Sequence, residues 1–509
     1  VKQAQIRVGV MIPSTGALRW HRFLLDSLGE AGVAVRLEHP GATNPADATR
    51  DAGHLHPVAL PWRALLPLER LLARPRPDLL ASADIPAVSL AQARPDILVL
   101  TPGALARPDL AQDLLERLPW GVLEIEPVHP AAFGPGVLTG RMLWRRSAMS
   151  ARLASETVTC RPGPLPLDWA KAHFAKTALM PARLIARLEL EGEDCWRACP
   201  EASPLPPYTP GPGDWLRFLG ELAAYGLTRA WQDIFHRRQW FLAVRPGNGD
   251  PTRPGFSQEP FVPLLPPGKT GWADPFLFTR DGRTWLFIEE IPFGKKGVLS
   301  VLELLPDGGW SDPRRVLEEP FHLSYPNVFE HDGQMYMVPE TAEAGQVRLY
   351  RATDFPGGWV LDRILLNDAP GTDATFVEHG GVWWMFVNLR APGGSSWDEL
   401  HLYRGESRLG PFRPHPLNPV VSDVCQARPA GRIIRRGGKL YRPAQDCSGW
   451  YGRALAVMEI TRLDEAGYEE RPASRLEPEL IAGSFCLHTF EAEGALEVVD
   501  GQRRVPLWR

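Results

Sequence analysis

A chain of 509 residues with 44% hydrophobic and 23% charged residues has enough apolar material for two to four globular domains. Its 56 basic and 60 acidic residues leave a formal net charge of −4, which gives no global field favouring nucleic acid or anionic lipid. No apolar run approaches the roughly 18 residues of a membrane-spanning helix. The opening "VKQAQIRVGVMIPSTG" lacks the apolar core and cleavage site of a secretory leader, so a cytoplasmic location is expected.

The first segment alternates strand and helix patterns. "IRVGVMI" (6–12) is a short apolar run, "RWHRFLLDSLGEAG" has helical spacing and a glycine stop, and "VAVRLEH" is the next strand. "PDILVL" (95–100), "RPDLAQDLLERL" (107–118) and "WGVLEIE" (120–126) continue as strand, helix and strand. This predicts a Rossmann-like, parallel, doubly wound α/β domain over residues 1–160. The loop "PSTG" lacks the spaced glycines of a dinucleotide site, so no cofactor is expected.

Residues 161–238 read as a helical and proline-rich connector. "DWAKAHFAKTALMPARLIARLEL" is helical in period with a kink at Pro181, and "PEASPLPPYTPGPGD" (200–214) is a linker. A second helix is expected over 215–239. The six cysteines fit no zinc spacing, since "CWRAC" separates its pair by three residues, and reduced thiols with no metal site are expected.

From residue 239 to 509 the pattern is all β and repeats, which predicts a five-bladed propeller. Each unit has a strand led by a polar residue, a glycine turn, an aromatic strand and a further strand. The units begin "WADPFLFTRDGRTWLFIEE", "SYPNVFEHDGQMYMVPET", "TDATFVEHGGVWWMFVN", "ARPAGRIIRRGGKLYRPAQD" and, more weakly, "LHTFEAEGALEVVDG". The Asp-Gly and Gly-Gly pairs at 281–282, 332–333, 380–381 and 437–438 are hairpin turns. "QWFLAVRP" (239–246) is expected to join the fifth unit and close the ring. A sixth blade would have to come from residues 250–270.

In such a ring, matched polar positions of successive blades face one axis. Asp274, Tyr325 (or Pro326), Asp373, Arg428 and His488 align at one position, and Glu289-Glu290, Glu340, Asn388 and Gln445-Asp446 end the next strands. Adjacent strand residues face opposite sides, and Glu290 rather than Glu289 is expected inside. Acids, an arginine, amides and a histidine, with Trp272 and other aromatics, suit a polyhydroxylated ligand. The substrate-binding set is therefore Trp272, Tyr325, Arg428, Arg442, Gln445, Asp446 and His488. Arg428 and Arg442 also fit a second reading, as partners of the acids in a buried network.

Residues 270–490 resemble the five-bladed propeller of glycoside hydrolase family 43 and, more closely, the N-terminal region of plant glucosamine inositolphosphorylceramide transferases. The matching stretches include "WADPFLF", "EEPFHLSYPNVFE", "YMVPET", "DELHLY", "PHPLNPVVSDV", "ARPAGR" and "LYRPAQDCS". In the hydrolase family a blade-one Asp is the base, a blade-three Asp orients, and a blade-four Glu is the acid. The resemblance assigns the first two roles to Asp274 and Asp373. Blade four offers Arg428 instead of Glu, so Glu340 or Glu290 is expected to replace the acid. Some related propellers hold calcium in the channel, where His488 stands with the acids. Residues 1–160 resemble the Rossmann-like domain of formyltransferases. His129 lies near the expected catalytic His, but the Asn-x-His pattern is absent, so a degenerate domain is implied.

The expected function is a carbohydrate-active protein, a glycosidase or glycan-processing enzyme, with a glycan, glycolipid or sugar-nucleotide as its partner. The alternatives are glycan or glycolipid binding on a degenerate enzyme fold, and sugar formyl or acyl transfer by the N-terminal domain.

Overall fold

The computed structural model describes residues 6–11, 17–29, 32–36, 82–83, 85, 88–101, 115–126, 137–147, 150–160, 166–203, scattered positions between 213 and 231, and 234–507 except 392–393. The chain divides into two compact units, Val1–Gly226 with Ala391–Ser395, and Leu227–Arg390 with Ser396–Arg509.

In the first unit, strands at Val88–Ser89, Gly32–Arg36, Val8–Met11, Ile97–Leu100 and Val122–Ile125 lie side by side and parallel. Three of them, Val8–Met11, Ile97–Leu100 and Val122–Ile125, are buried at every residue, as their unbroken apolar runs require. The helix Arg19–Leu28 buries Trp20, Leu24, Leu25 and Leu28 along one stripe.

The sheet is not wholly parallel. Strands Val137–Arg145 and Arg152–Cys160 add an antiparallel hairpin at its edge. Their mixed polar and apolar order belongs to strands that are only partly covered. Pro181 does not kink one helix but starts another. One helix ends at Thr177 and the next, Met180–Glu191, carries Pro181 in its first turn, where no helical bond needs its missing N–H. Of the expected helix at 107–118, Leu115 and Glu116 are described and helical. His129 lies outside the described residues.

The second unit contains five four-stranded antiparallel sheets. Blade one runs from Gly271 to Leu317, blade two from Ser324 to Leu366, blade three from Gly371 to Pro414 and blade four from Ile434 to Leu476. Blade five takes strands from both ends of the unit, in the order Val262–Leu264, His236–Pro246, Leu496–Pro506, Phe490–Glu493. His236–Pro246 pairs along its whole length with Leu496–Pro506, so the ring is closed by strand pairing. This strand starts at His236, ahead of the expected Gln239. Residues 262–264 are its outer neighbour, so the 250–270 stretch completes blade five and the count is five.

Both turn residues at Asp281-Gly282, Asp332-Gly333, Gly380-Gly381 and Gly437-Gly438 have positive φ, as a type I′ hairpin demands. Arg432 ties four blades together. Its guanidinium donates to Leu277 O and Val328 O, each at 2.8 Å, and pairs with Glu491.

Candidate active site

Blades one to three repeat one backbone device. Asp274, Tyr325 and Asp373 have φ of 49°, 49° and 58°. Each sits in a β-bulge, where pairing skips between Ala273 and Phe276, between Ser324 and Asn327, and between Thr372 and Thr375. A left-handed non-glycine residue is costly, and such strain clusters at functional sites. The expected equivalence of these three positions is thus a matter of backbone geometry as well as spacing.

The neighbouring strands set the second tier. Glu289 lies opposite Ala273, Glu340 opposite Ser324 and Asn388 opposite Thr372. Glu289, not Glu290, is therefore the partner of Glu340 on the inner face. Glu290 pairs with Trp272 and its carboxyl accepts the Ser300 hydroxyl at 2.5 Å. The signal was available in the sequence. Glu289, Glu340, Asn388 and Gln445 each follow the second residue of their hairpin turn by seven positions.

Asp274 is held from three sides. Its Oδ2 accepts Tyr325 N–H at 3.1 Å, its Oδ1 accepts the Thr489 hydroxyl at 3.0 Å, and its own N–H donates to Asp500 Oδ2 at 2.9 Å. His488 Nδ1 lies 2.9 Å from Asp500 Oδ2 and 3.3 Å from Asp274 Oδ1, while Nε2 is 2.6 Å from the Tyr451 hydroxyl. Arg428 takes Asp373 in its fork, Nε to Oδ2 at 2.5 Å and Nη2 to Oδ1 at 3.3 Å, and reaches Glu340 Oε2 at 3.2 Å. Gln445 also donates to Asp373 Oδ2, at 3.1 Å. Trp240 and Tyr451 each place a ring centroid 4.8 Å from that of His488, and Trp397 packs on Tyr451 at 5.5 Å.

Burial sets the proton inventory. It pushes Asp274 up to about 6, with Asp373 and Asp500 adding to the rise and His488 and Arg428 opposing it. Glu340 is pushed up to about 8 by burial and the nearby Asp373 and Asp274, against the pull of Arg428. Glu289 rises well above the carboxylate range, first by burial and then by Asp274, Glu340, Asp500 and Asp373. Burial works against the charge of His488, but Asp500 and Asp274 outweigh it and hold the imidazole up at about 9. At neutral pH the site therefore holds an ionised Asp274 beside His488⁺ and a protonated Glu340, while burial and the surrounding acids favour the neutral form of Glu289.

Some sequence candidates stand apart from this cluster. Arg442 is buried in a bidentate pair with Glu470 at 2.9 and 2.6 Å, so it anchors blade four. Asp446 pairs with Arg453 and Arg475. The Tyr325 side chain points into the core, its hydroxyl bonded to Thr375 and to Gly431 N–H at 2.7 Å each, so only its backbone serves Asp274. Trp272 is buried. Sequence reasoning missed Asp500, Thr489, Tyr451 and Trp240: the first two lie in the weak fifth unit outside its matched position, and the others in a loop and in the closing strand His236–Pro246.

Asp274, His488 and Asp500 are the one group of acids and histidines among the described residues close enough to converge on a cation, with ligand atoms within 4.8 Å of one another. Both ring nitrogens of His488 already face protein oxygen, so these side chains satisfy each other by proton sharing.

A five-bladed propeller with a buried cluster of carboxyls on its first and second strands is the class that fold and site define. Residues 269–479 match the family model described as the N-terminal region of glucosamine inositolphosphorylceramide transferase 1. The protein of that name from Oryza sativa subsp. japonica is 38% identical over 207 residues, which is 40% of this chain and 28% of the rice protein. Its Arabidopsis thaliana counterpart is 35% identical over 203 residues, 39% of this chain and 26% of the relative. The match thus spans less than a third of either plant protein. Among solved structures, the α-L-arabinanase of Cellvibrio cellulosa complexed with arabinohexaose aligns with 39% of this chain and 77% of its own, at 16% identity and a TM-score of 0.32. The catalytic domain of the Coprinopsis cinerea GH62 α-L-arabinofuranosidase aligns with 52% and 97%, at 12% identity and a TM-score of 0.35.

Proposed function

We propose that the propeller is a carbohydrate-active site that makes or breaks a glycosidic bond on a glycan or sugar-bearing lipid headgroup. One observation carries this reading. The bulged inner strand of blade one carries Asp274, ionised at neutral pH, and the second strand of blade two carries Glu340, protonated at neutral pH, into the same buried carboxyl cluster. A base and an acid with protons divided in this way are what acid–base exchange at an acetal centre needs. Asp274 is the base, Asp373 orients through Arg428 and Gln445, and Glu340 is the acid in place of the blade-four Glu. The similarity to plant glucosamine inositolphosphorylceramide transferases supports a sugar-transfer chemistry on a phosphoinositol-bearing acceptor. The five parallel strands and βαβ opening of the first unit support a Rossmann-like reading of that part.

The test is a panel of aryl pyranosides and furanosides for hydrolysis, and of sugar nucleotides with a phosphoinositol acceptor for transfer. Wild type should turn over at least one, and Asp274→Asn and Glu340→Gln should not. Equal turnover by wild type and Asp274→Asn would remove the base assignment.

A second reading is sugar binding without turnover. Arg428 favours it, because it fills the position where the resemblance places an acid and clamps both Asp373 and Glu340. Calorimetric binding of a sugar with no product over days would select it.

A further inference from the structure

Glu289 has a setting unlike that of any other carboxyl in the site. It is 6% exposed, and its Oε1 lies 3.2 Å from His322 Nε2. His322 is fixed from the other side, since its Nδ1 accepts the Gly297 N–H at 3.0 Å. A ring nitrogen that accepts a backbone N–H carries no proton of its own. The imidazole is therefore neutral and its one N–H is on Nε2, the nitrogen 3.2 Å from Glu289 Oε1. Burial, Arg428 and Lys296 all act to keep that ring uncharged, with Glu343 opposing them.

Glycine at 297 is required for this arrangement. A Cβ there would lie 2.5 Å from Glu289 Oε1, 2.6 Å from Leu323 O and 2.8 Å from His322 Cε1. The loops carrying 297 and 322 are locked together. Leu323 N–H donates to Gly297 O at 3.1 Å, His322 N–H donates to Glu343 Oε2 at 2.8 Å, and Lys296 pairs with the same glutamate.

We propose that Glu289 is a neutral carboxylic acid that donates a hydrogen bond from Oε2 to a ligand oxygen, and that His322 is its positioning residue. This rests on the carbohydrate reading above, and it adds a proton donor to that site. With Oε1 the oxygen next to the protonated ring nitrogen, the acid proton belongs on Oε2, for which the described residues supply no hydrogen-bond partner. The acidic groups that act on Glu289 are Asp274, Glu340, Asp500 and Asp373, so its ionisation would add negative charge to a cluster that already holds ionised carboxylates. A site that offers a neutral O–H donor selects hydroxyl, ether or phosphoryl oxygen and disfavours ammonium groups.

The proposal can be tested without a substrate. Infrared spectra of the full chain at pH 7 should show buried protonated carboxyl absorption, part of which disappears in Glu289→Gln and another part in Glu340→Gln. His322→Phe should shift the Glu289 band, and His322→Gln, whose amide N–H can take the place of Nε2–H, should restore it. Gly297→Ala should shift it as well. An unchanged protonated-carboxyl spectrum in folded Glu289→Gln would overturn the proposal. So would a His322→Phe spectrum identical to wild type, which covers the case where Glu289→Gln fails to fold. These outcomes are independent of the substrate panel, so the Glu289 assignment and the carbohydrate reading can fail separately.

Discussion

Arg428 grips Asp373 across the boundary between blades three and four while a third contact reaches Glu340 in blade two. One guanidinium, 6% exposed, thus neutralises part of a carboxylate cluster drawn from three sheets. Removing it leaves the buried Asp373 without its paired cation. Arg428→Met is expected to cost about 3–5 kcal/mol, as for a broken buried ion pair. Urea denaturation of the single variant and of Arg428→Met with Asp373→Asn measures this. The double variant should recover part of the loss.

Asp274 is the residue on which turnover depends. Asp274→Asn keeps the shape of the side chain but removes the base. A drop of about 10²–10⁴-fold in kcat/KM is expected. The thermal midpoint should fall little or even rise, since a buried charge is replaced by a neutral amide. A folded variant with full activity would exclude Asp274 as base.

Stability should decline on the alkaline side. Glu340 keeps its proton in the folded chain up to about 8 but loses it near 4.5 when unfolded, so stability falls as pH rises through that window. Asp274 acts in the same direction between 3.8 and about 6. His488⁺ contributes stability that is fully present below 6.5 and is lost as pH rises through about 9. The thermal midpoint should therefore decrease from pH 5 to pH 9. Glu340→Gln should flatten the part of that slope between pH 5 and 8.

Gly431 is a sharp packing test. Its φ is 127°, and a Cβ would stand 2.0 Å from Phe490 O, where blades four and five meet. Gly431→Ala should destabilise by at least about 2 kcal/mol, in the range of severe backbone clashes. Gly333→Ala, at an open turn with nothing within 4 Å, carries only the φ strain and should cost about 1 kcal/mol. Paired denaturation curves distinguish the two.

The repeat was legible because hairpin turns punctuate it. The pairs at 281–282, 332–333, 380–381 and 437–438 all adopt the predicted conformation, and the polar positions at fixed distance before them include Asp274 and Asp373. The choice between Glu289 and Glu290 needs the spacing counted from the hairpin turn, seven residues on, as for Glu340, Asn388 and Gln445; alternation along the strand alone leaves the inner face open. Arg442 and Asp446 look like site residues because their neighbours Gln445 and Arg428 are. The cations and anions that claim them, Glu470, Arg453 and Arg475, come from outer strands and loops. Asp500 escaped notice for a related reason, since it lies in the closing strand, outside the matched positions. In the first unit, continuous apolar runs revealed the buried parallel strands, whereas the half-covered hairpin 137–160 carries no such run.

The pairing of His236–Pro246 with Leu496–Pro506 also imposes an order on biosynthesis. The ribosome makes one half of the clasp some 250 residues before the other. Until the last strands emerge, His236–Pro246 lacks its long pairing partner and Asp274 lacks Thr489 and Asp500. Nascent chains therefore carry an unzipped sheet edge while those intervening residues are made, and they are the natural clients of chaperones that shield such edges.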